Sequence, residues 1–507
     1  MDAINTPHTG LDPSKDLEKS LVPSETSVDV SPADVVPSAD RSLWTRLSEA
    51  GVELRGAQPV PVELRTDTRY FNIFTIFSTS MTSLLPISIG SATTLFYGLN
   101  LRDAALMIIF FDIIFCLPAA YIVTIAPRTG MRQMIQSRYT FGKYGNILTV
   151  IVVIMTVGGF SCTATSVAGN CLAYLSDGKL SSEVGMMIIV LVSLVVAFFG
   201  YRILHLYERW AWIPILIAIV FTIGCAGENL AQPPLETPTT KQEYMGMIAL
   251  IAGSQITWAM VAGDYCVYMP PTTPRFRLGM YCLTGICIPF TLLMIVGAAI
   301  GGAISANPTW ETAYAAHGIG GVLGAILDRV GGFGKFILAL MALSVIATVS
   351  RDYYTVSVNI QALVPIFRKV PRAVFVIVTA GAAYGVAFAA SKTFYDSLVT
   401  FLSIIGYYGG SFVSVVFIEW FYFRKADPDS FDPEIWNDAK RLPTGIPALA
   451  SVLLPWALIV PSMDQTWYTG PIAKNAGDLG FWFAIILAAL FYPPFRALEI
   501  RLRGGKL

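Results

Sequence analysis

Ionisable side chains stand inside long apolar runs of this 507-residue sequence, and they include Asp112, Asp264 and Arg351. A charged group at membrane depth costs roughly 2.5 kcal/mol or more, so such residues usually have a partner or line a path for ions or substrate. A carboxyl group can bind and release a proton, and a guanidinium can pair with a carboxylate or another anion. These three residues are therefore candidates for coupling transport to an ion gradient.

Arg351 has three candidate partners, which are Asp352 beside it, Asp112 and Asp264. Adjacent residues of a helix point about 100° apart, so we expect the partner on another helix rather than at position 352. Two interpretations stay open. Arg351 and an acid form a proton-sensitive pair, with binding of an anionic substrate group as a variant, or they form a static ion pair that ties two helices together.

Residues 253–271 read GSQITWAMVAGDYCVYMPP and combine an apolar run with Gly253, Gly263 and the acid Asp264. Glycine destabilises a helix interior, so this run predicts a broken membrane helix. Thr257 and Trp258 lie at its centre. An indole ring at the midplane offers a stacking surface to a planar substrate, although aromatic packing would also explain it.

The composition predicts a polytopic membrane protein. The sequence is 54% hydrophobic and 13% charged, and its mean hydropathy is +0.61. The formal net charge is +0, so no basic excess indicates a nucleic-acid partner. The expected surroundings are a lipid bilayer.

About twelve apolar segments are long enough to cross a hydrocarbon core of roughly 30 Å. We expect residues 1–68 to form a disordered cytosolic tail, 69–390 to hold spans one to nine, 391–497 spans ten to twelve, and 498–507 a cytosolic C-terminus. The predicted spans cover 71–98, 102–126, 146–175, 183–201, 210–229, 244–269, 277–304, 334–362, 371–390, 394–422, 444–461 and 477–497.

Basic residues alternate between the two sides of these spans. The positive-inside rule places the Lys- and Arg-rich loops in the cytosol, and with them both chain termini. Loop 227–244, on the other side, is acidic. Residues assigned to the cytosolic side include Arg128, Arg132, Arg138, Lys143, Arg202, Arg209, Arg275, Arg277, Arg368, Lys369, Arg372, Arg424 and Lys425.

The middle of each span lies near the bilayer centre, because a helix rises about 1.5 Å per residue. Pro86 and Gly90 predict a break in span one, like the break in span six. Breaks five spans apart are typical of two inverted five-helix repeats whose discontinuous helices meet at a midplane site. The residues at the middle of spans one, three, six, eight and ten are candidates for that site: Ser83, Phe160, Thr257, Trp258, Thr348 and Tyr407.

Other classes of protein fit the sequence less well. The histidines, His8, His205 and His317, are too dispersed for a catalytic triad or a metal site, so we predict neither an enzyme nor a bound metal or cofactor. A channel is expected to show repeated polar rings rather than one aromatic pocket. A transporter-like nutrient sensor stays open as an alternative.

Several stretches resemble the fungal purine-cytosine permease branch of the nucleobase–cation symporter family, as a divergent member. They occur in one order along the chain from about residue 44 to 501. The similar stretches are RTGMRQMIQSRYTFGKYG (128–145), YERWAWIPIL (207–216), ITWAMVAGDYCVYMPP (256–271), GGFGKFILALMALSVIA (331–347), FLSIIGYYGGSF (401–412), EWFYFRK (419–425) and the ending over 441–501.

The resemblance implies an all-helical LeuT-like fold, with five-plus-five inverted repeats and two extra C-terminal helices. It also implies nucleobase import at the plasma membrane, with protons favoured over sodium as the coupled ion. The family's stacking tryptophan matches Trp258, and its following acid matches Asp264. Phe160 stands where Trp is usual, Ala164 where Asn or Gln is common, and Asp112 where Asn is usual.

Span eight also departs from the family, because ATVSRD places Thr348 and Val349 where two amides are typical. A site built for paired hydrogen bonds discriminates by up to about 10⁴-fold, so losing the amides should alter substrate choice. Cytosine or a purine is the first expectation. Another planar N-heterocycle, such as a vitamin B6 vitamer, allantoin or a thiamine-like compound, is the alternative.

Overall fold

The computed structural model describes residues 58–199, 212–230, 238–364, 366–367 and 370–505. The predicted tail over 1–57 lies outside the described residues. The described chain is almost entirely helical, with one two-residue antiparallel hairpin between Asp464–Gln465 and Tyr468–Thr469.

The helices follow the predicted order of twelve spans. By hydropathy and length, six helices of the described chain can cross a membrane, or seven if the bent pair at its start is one span, and three shorter apolar helices accompany them. From span one to span twelve the helices are Phe71–Met81 with Leu84–Leu95, Leu101–Ile122, Arg138–Leu175, Ser182–Phe199, Trp212–Ala226, Lys241–Gln255, Arg275–Ala303, Gly331–Leu343 with Val345–Leu363, Arg372–Ala390, Phe394–Ile418, Ile446–Leu453 with Trp456–Ser462, and Gly480–Leu502.

Short helical segments connect these spans. A helix not foreseen in the sequence, Pro308–Leu327, lies between spans seven and eight. It is kinked at His317 and Gly318. The remaining short α-helices are Ala126–Thr129, Gln133–Gln136 and Ala473–Ala476. The 3-10 turns are Val62–Leu64, Gly227–Leu230, Ile256–Met260, Ala262–Tyr265, Ile304–Ala306, Asp328–Val330, Ser391–Thr393 and Pro428–Ser430, and Glu419–Phe423 is a π-helical turn.

Span one is broken, but not at the residues that the sequence indicated. Its two helices meet at 54°, and the bend lies at Thr82 and Ser83, where Ser83 is extended. Pro86 instead sits in the first turn of the second helix, where a missing N–H costs little. Gly90 is helical and packs on span seven, since a Cβ there would lie 2.0 Å from the carbonyl oxygen of Met294.

Span six unwinds after Gln255 into two successive 3-10 turns, Ile256–Met260 and Ala262–Tyr265. Gly253 lies inside the regular helix and is not the break. A Cβ at Gly253 would lie 1.9 Å from the carbonyl oxygen of Leu402, so this glycine allows spans six and ten to touch through their backbones. The unwound turns carry the residues at the centre of the predicted site.

Residues 58–68, which the sequence placed in the disordered tail, are anchored in the structure. The guanidinium of Arg65 donates hydrogen bonds to the carbonyl oxygens of Val60, Pro127, Arg128 and Thr129, at 2.8 to 3.2 Å. Low hydrophobicity suggested disorder here, but a single buried arginine that satisfies four carbonyl groups orders this segment against the loop that follows span two.

Candidate functional site

A cavity lies where the broken parts of spans one and six face spans three and eight. Its free space in this structure is about 40 Å³, below the roughly 300–1,000 Å³ typical of small-molecule sites, so its walls must move apart to admit a substrate. Its walls are formed by Ser80, Met81, Leu85, Pro86, Val153, Thr156, Val157, Phe160, Ser254, Thr257, Trp258, Met260, Val261, Tyr265, Phe290, Thr348, Arg351, Asp352 and Thr355. Five predicted site residues, Phe160, Thr257, Trp258, Thr348 and Arg351, therefore meet in one place.

Trp258 lines this cavity from the first unwound turn of span six. The edge of its ring system meets Phe77 of span one, with ring centroids 5.7 Å apart and planes at 89°. Phe77 makes a similar contact with Tyr265, at 5.5 Å. Phe77 is fully buried, so its contacts hold the Trp258 indole in one orientation. The Trp258 side chain itself is only partly buried.

Phe160 lines the cavity from span three. Its ring meets Phe401 of span ten edge to face, at 5.6 Å. The preceding residue is Gly159, and a Cβ there would lie 2.3 Å from the Phe401 ring. The close approach at Gly159 thus lets Phe401 support Phe160.

Arg351 and Asp352 place a buried pair of opposite charges in the cavity wall. Nη2 of Arg351 is 3.6 Å from Oδ1 of Asp352, and the hydroxyl of Ser161 donates to Oδ2 at 3.0 Å. The Arg351 Cζ atom lies 5.8 Å from the centre of the Trp258 ring. The acid within ion-pair distance of Arg351 is thus its neighbour in sequence, Asp352, whereas an acid on another helix was expected.

Hydroxyl groups line the wall between spans one and eight. Thr348 donates to the carbonyl oxygen of Ser80 at 3.3 Å, and the bend in span one lies just beyond Ser80. Serine and threonine side chains commonly satisfy backbone groups that a break in a membrane helix sets free. Thr257 donates to the carbonyl oxygen of Gly253 at 3.0 Å.

Ser83, a candidate from a span midpoint, and Ala164, a candidate from the family resemblance, are buried but do not line the cavity. Ser83 lies at the bend itself, with its hydroxyl 3.5 Å from the carbonyl oxygen of Ser80. Depth in the membrane can be read from hydropathy, but the direction in which a side chain points cannot. The lining residues missed for the same reason include Ser80, Ser254, Tyr265 and Thr355, and Asp352 was considered only as a partner for Arg351.

Tyr407 lies away from the cavity as well. Its hydroxyl donates to the carboxylate of Asp478, and Nε2 of Gln465 donates to the same hydroxyl at 2.7 Å. The neighbouring Tyr408 instead shares a hydrogen bond of 2.8 Å with Thr149 of span three. Both hydroxyls are thus used in packing of span ten against other parts of the bundle.

Asp112 is fully buried between spans two and seven and does not line the cavity. The Thr291 hydroxyl donates to one carboxylate oxygen, and the other has no hydrogen-bond partner among the described residues. Gln255, the last helical residue before span six unwinds, is adjacent to this carboxyl group. Asp112 thereby lies next to the point where span six unwinds.

Asp264 lies in the second unwound turn, outside the cavity. One carboxylate oxygen accepts a hydrogen bond from the backbone N–H of Gln133 at 2.6 Å, and Arg132 is close enough to attract the carboxylate. Gln133 begins the short helix Gln133–Gln136, whose N-terminus favours a negative charge. Asp264 thus joins span six to the loop between spans two and three.

The bent first span, the unwound sixth span and a cavity at their breaks define the class of secondary transporters with discontinuous helices. The comparison with solved structures agrees with this fold. A closed structure of Mhp1, a nucleobase-cation-symport-1 family transporter with bromovinylhydantoin bound, has a TM-score of 0.65 over 89% of this chain and 97% of that chain, at 14% identity. That likeness supports the fold, with its twelve spans and LeuT-like inverted repeats.

The chain belongs to the family of permeases for cytosine/purines, uracil, thiamine and allantoin, whose model matches residues 59–433. It is 30% identical to the purine-cytosine permease FCY2 of Saccharomyces cerevisiae, over 96% of this chain and 95% of that protein. It is also 25% identical to the vitamin B6 transporter TPN1 of the same yeast, over 99% and 97%. The predicted family is confirmed, and the protein is an integral membrane transporter rather than an enzyme.

Proposed function

We propose that this protein imports a nucleobase of the cytosine or purine type across the plasma membrane by proton symport, with both termini in the cytosol. The observation that carries the proposal is the cavity at the breaks of spans one and six. Two aromatic rings, Trp258 and Phe160, line it together with the charged pair Arg351 and Asp352. The similarity to FCY2, named a purine-cytosine permease, supports the substrate class.

The cavity chemistry suits a planar heterocycle with a polar edge. Trp258 and Phe160 offer stacking surfaces, and stacking of a base on an aromatic side chain contributes about 1–3 kcal/mol. The guanidinium of Arg351 can donate hydrogen bonds to a carbonyl oxygen or a ring nitrogen of the substrate. The Asp352 carboxyl group can accept from an amine, because it keeps acceptor capacity when it is protonated. Cytosine carries an amine beside such acceptors, so its edge complements the Arg351–Asp352 pair.

For the coupling step we propose Asp352 as the first proton-carrying group, because it lies in the cavity wall beside Arg351. A proton that neutralises Asp352 would release Arg351 to interact with the substrate. Proton binding and substrate binding would then favour the same rearrangement of the cavity. Transport is expected to accelerate as external pH falls, since the proton enters from outside.

Asp112 and Asp264 are proposed as secondary coupling groups, because the first lies next to the unwound part of span six and the second is within it. Asp112 lies beside Gln255 and accepts from Thr291, and Asp264 accepts from Gln133. A change in the charge of either would alter how the unwound turns are held. Neither residue touches the cavity, so their effect on substrate selection should be smaller than that of Asp352.

A vitamin B6 vitamer is the second candidate substrate, and allantoin and thiamine-like compounds fall in the same group. The cavity lining contains no Asn or Gln side chain among the described residues, so no amide is available for paired hydrogen bonds with a base edge. The similarity to TPN1, named a vitamin B6 transporter, extends over nearly the whole chain. Both observations favour testing these compounds beside nucleobases.

The proposal is tested by uptake competition in cells that express this chain and lack their own permeases. Labelled cytosine uptake should saturate, and adenine and hypoxanthine should compete, while pyridoxine, allantoin and thiamine should not. If only pyridoxine competed, a vitamin B6 vitamer would take the place of cytosine as the proposed substrate. Measuring uptake after replacement of sodium, and again after collapse of the proton gradient, distinguishes the two possible coupled ions. Absence of any saturable uptake would favour a transporter-like sensor.

A further inference from the structure

A second cavity opens on the outer surface of the bundle, between spans two and seven and the end of span ten. Its free volume is about 620 Å³. Its walls are mainly apolar, and wall residues such as Leu117 and Met280 are exposed. In an integral membrane protein this surface faces lipid, so an acyl chain can occupy the groove.

One wall of this groove is aromatic. The ring of Tyr121 lies 5.7 Å from that of Phe417 and 5.1 Å from that of Phe421. The Tyr121 hydroxyl accepts a hydrogen bond from Nε1 of Trp420 at 3.0 Å. Tyrosine and tryptophan are enriched at the level of lipid head groups, which places this end of the groove at the membrane interface.

Positive charge is concentrated at the same end. Arg275 lines the groove and forms no ion pair or hydrogen bond through its side chain among the described residues. It begins the helix Arg275–Ala303, whose first turn has no side-chain cap. Arg128 lies near enough to repel it, and its own guanidinium contacts the carbonyl oxygens of Thr124 and Thr273.

We propose that this groove binds one anionic phospholipid. The acyl chain lies along the apolar walls, and the phosphate lies between Arg275, Arg128 and the uncapped helix start. A phosphate there offsets the repulsion between two guanidinium groups, and the positive end of the helix dipole adds to the attraction. The orientation proposed above places this site in the cytosolic leaflet, where anionic lipids are concentrated.

The test is lipid retention by the purified full-length protein, measured by native mass spectrometry with equal amounts of phosphatidylserine and phosphatidylcholine. The wild type should retain phosphatidylserine preferentially. Arg275→Gln should reduce that preference about fivefold, because a basic side chain near the membrane surface contributes about 1 kcal/mol. Arg277→Gln is the matched control, since Arg277 is engaged with Tyr281 and does not line the groove.

A second variant tests the groove without changing its charge. Leu117→Trp adds bulk at an exposed wall position and should lower retention of both lipids. Equal binding of the two lipids by the wild type would overturn the proposal, as would an equal loss of preference in Arg275→Gln and Arg277→Gln. A dimer whose contact covers Leu117 and excludes lipid would also overturn it. None of these results depends on which substrate is transported.

Discussion

Neutralising the charged pair in the cavity distinguishes the two roles that Arg351 and Asp352 can have, which are proton coupling and a static structural ion pair. At 3.6 Å, and with an effective dielectric constant of about 20, the Coulomb attraction between them is about 5 kcal/mol. Removing one partner leaves the other charge buried, which typically costs about 3–5 kcal/mol. Arg351→Gln and Asp352→Asn should therefore each lower the amount of folded protein at the cell surface.

The double variant Arg351→Gln/Asp352→Asn leaves no unpaired charge and should recover most of the surface amount. Its pH response is the informative quantity. If the pair couples protons to transport, the wild type should accelerate as external pH falls, whereas the double variant should show a flat profile with slower uptake. The assay is the initial rate of labelled cytosine uptake across an external pH series, divided by surface amount.

Ser161→Ala is a useful control, because it removes one hydrogen bond to Asp352 and keeps both charges. Its uptake should still accelerate as external pH falls, unlike that of the double variant. A double variant with a normal surface amount and the wild-type profile would refute the coupling role. The pair would then be a structural contact, and Asp112 and Asp264 would become the first candidates for the proton-carrying group.

Three further predictions concern stacking, helix packing and the N-terminal segment. Trp258→Ala should raise the KM for the substrate about 5- to 150-fold at equal surface amount, and Trp258→Phe should raise it less, because stacking contributes about 1–3 kcal/mol; equal effects of the two would argue against stacking. Gly253→Ala should lower the yield of monodisperse protein in size-exclusion chromatography, since its Cβ would lie 1.9 Å from a carbonyl oxygen of span ten, whereas Gly381→Ala, with open space around its Cβ, should not. Arg65→Gln should speed proteolysis of the segment before span one, because four carbonyl groups lose their donor, while Arg69→Gln, which breaks an exposed ion pair with Asp67, should have a smaller effect.

The sequence predicted the depth of the site better than its lining. Hydropathy sets the ends of each span, and the helix rise then gives the residues at the midplane, which is how Trp258, Phe160 and Thr348 were found. Which of these side chains turn toward the cavity depends on packing between helices. Tyr407 therefore lies at the right depth but donates its hydroxyl to Asp478.

The positions of the helix breaks in spans one and six were also not predictable from the sequence. Glycine and proline were expected to interrupt spans one and six, yet Gly90 and Gly253 are helical and bring neighbouring backbones into contact. The bend of span one lies instead at Thr82 and Ser83. A glycine that permits a close approach and one that breaks a helix look the same in a single sequence, because the difference lies in the neighbouring helix.

The helix Pro308–Leu327 and the ordered segment over 58–68 were not foreseen for a related reason. Both lie between or before spans, where hydropathy gives no clear period, and both are fixed by contacts distant in sequence. Arg65, for example, is bonded to carbonyl groups more than sixty residues away. Such contacts become visible only in three dimensions.

The most direct test of the central claim is an experimental structure with cytosine bound. The proposal predicts the ring against the Trp258 indole in the cavity of spans one, three, six and eight, with its polar edge at Arg351 and Asp352. Cytosine bound elsewhere in the protein, or an empty cavity under conditions where cytosine uptake is saturated, would contradict it.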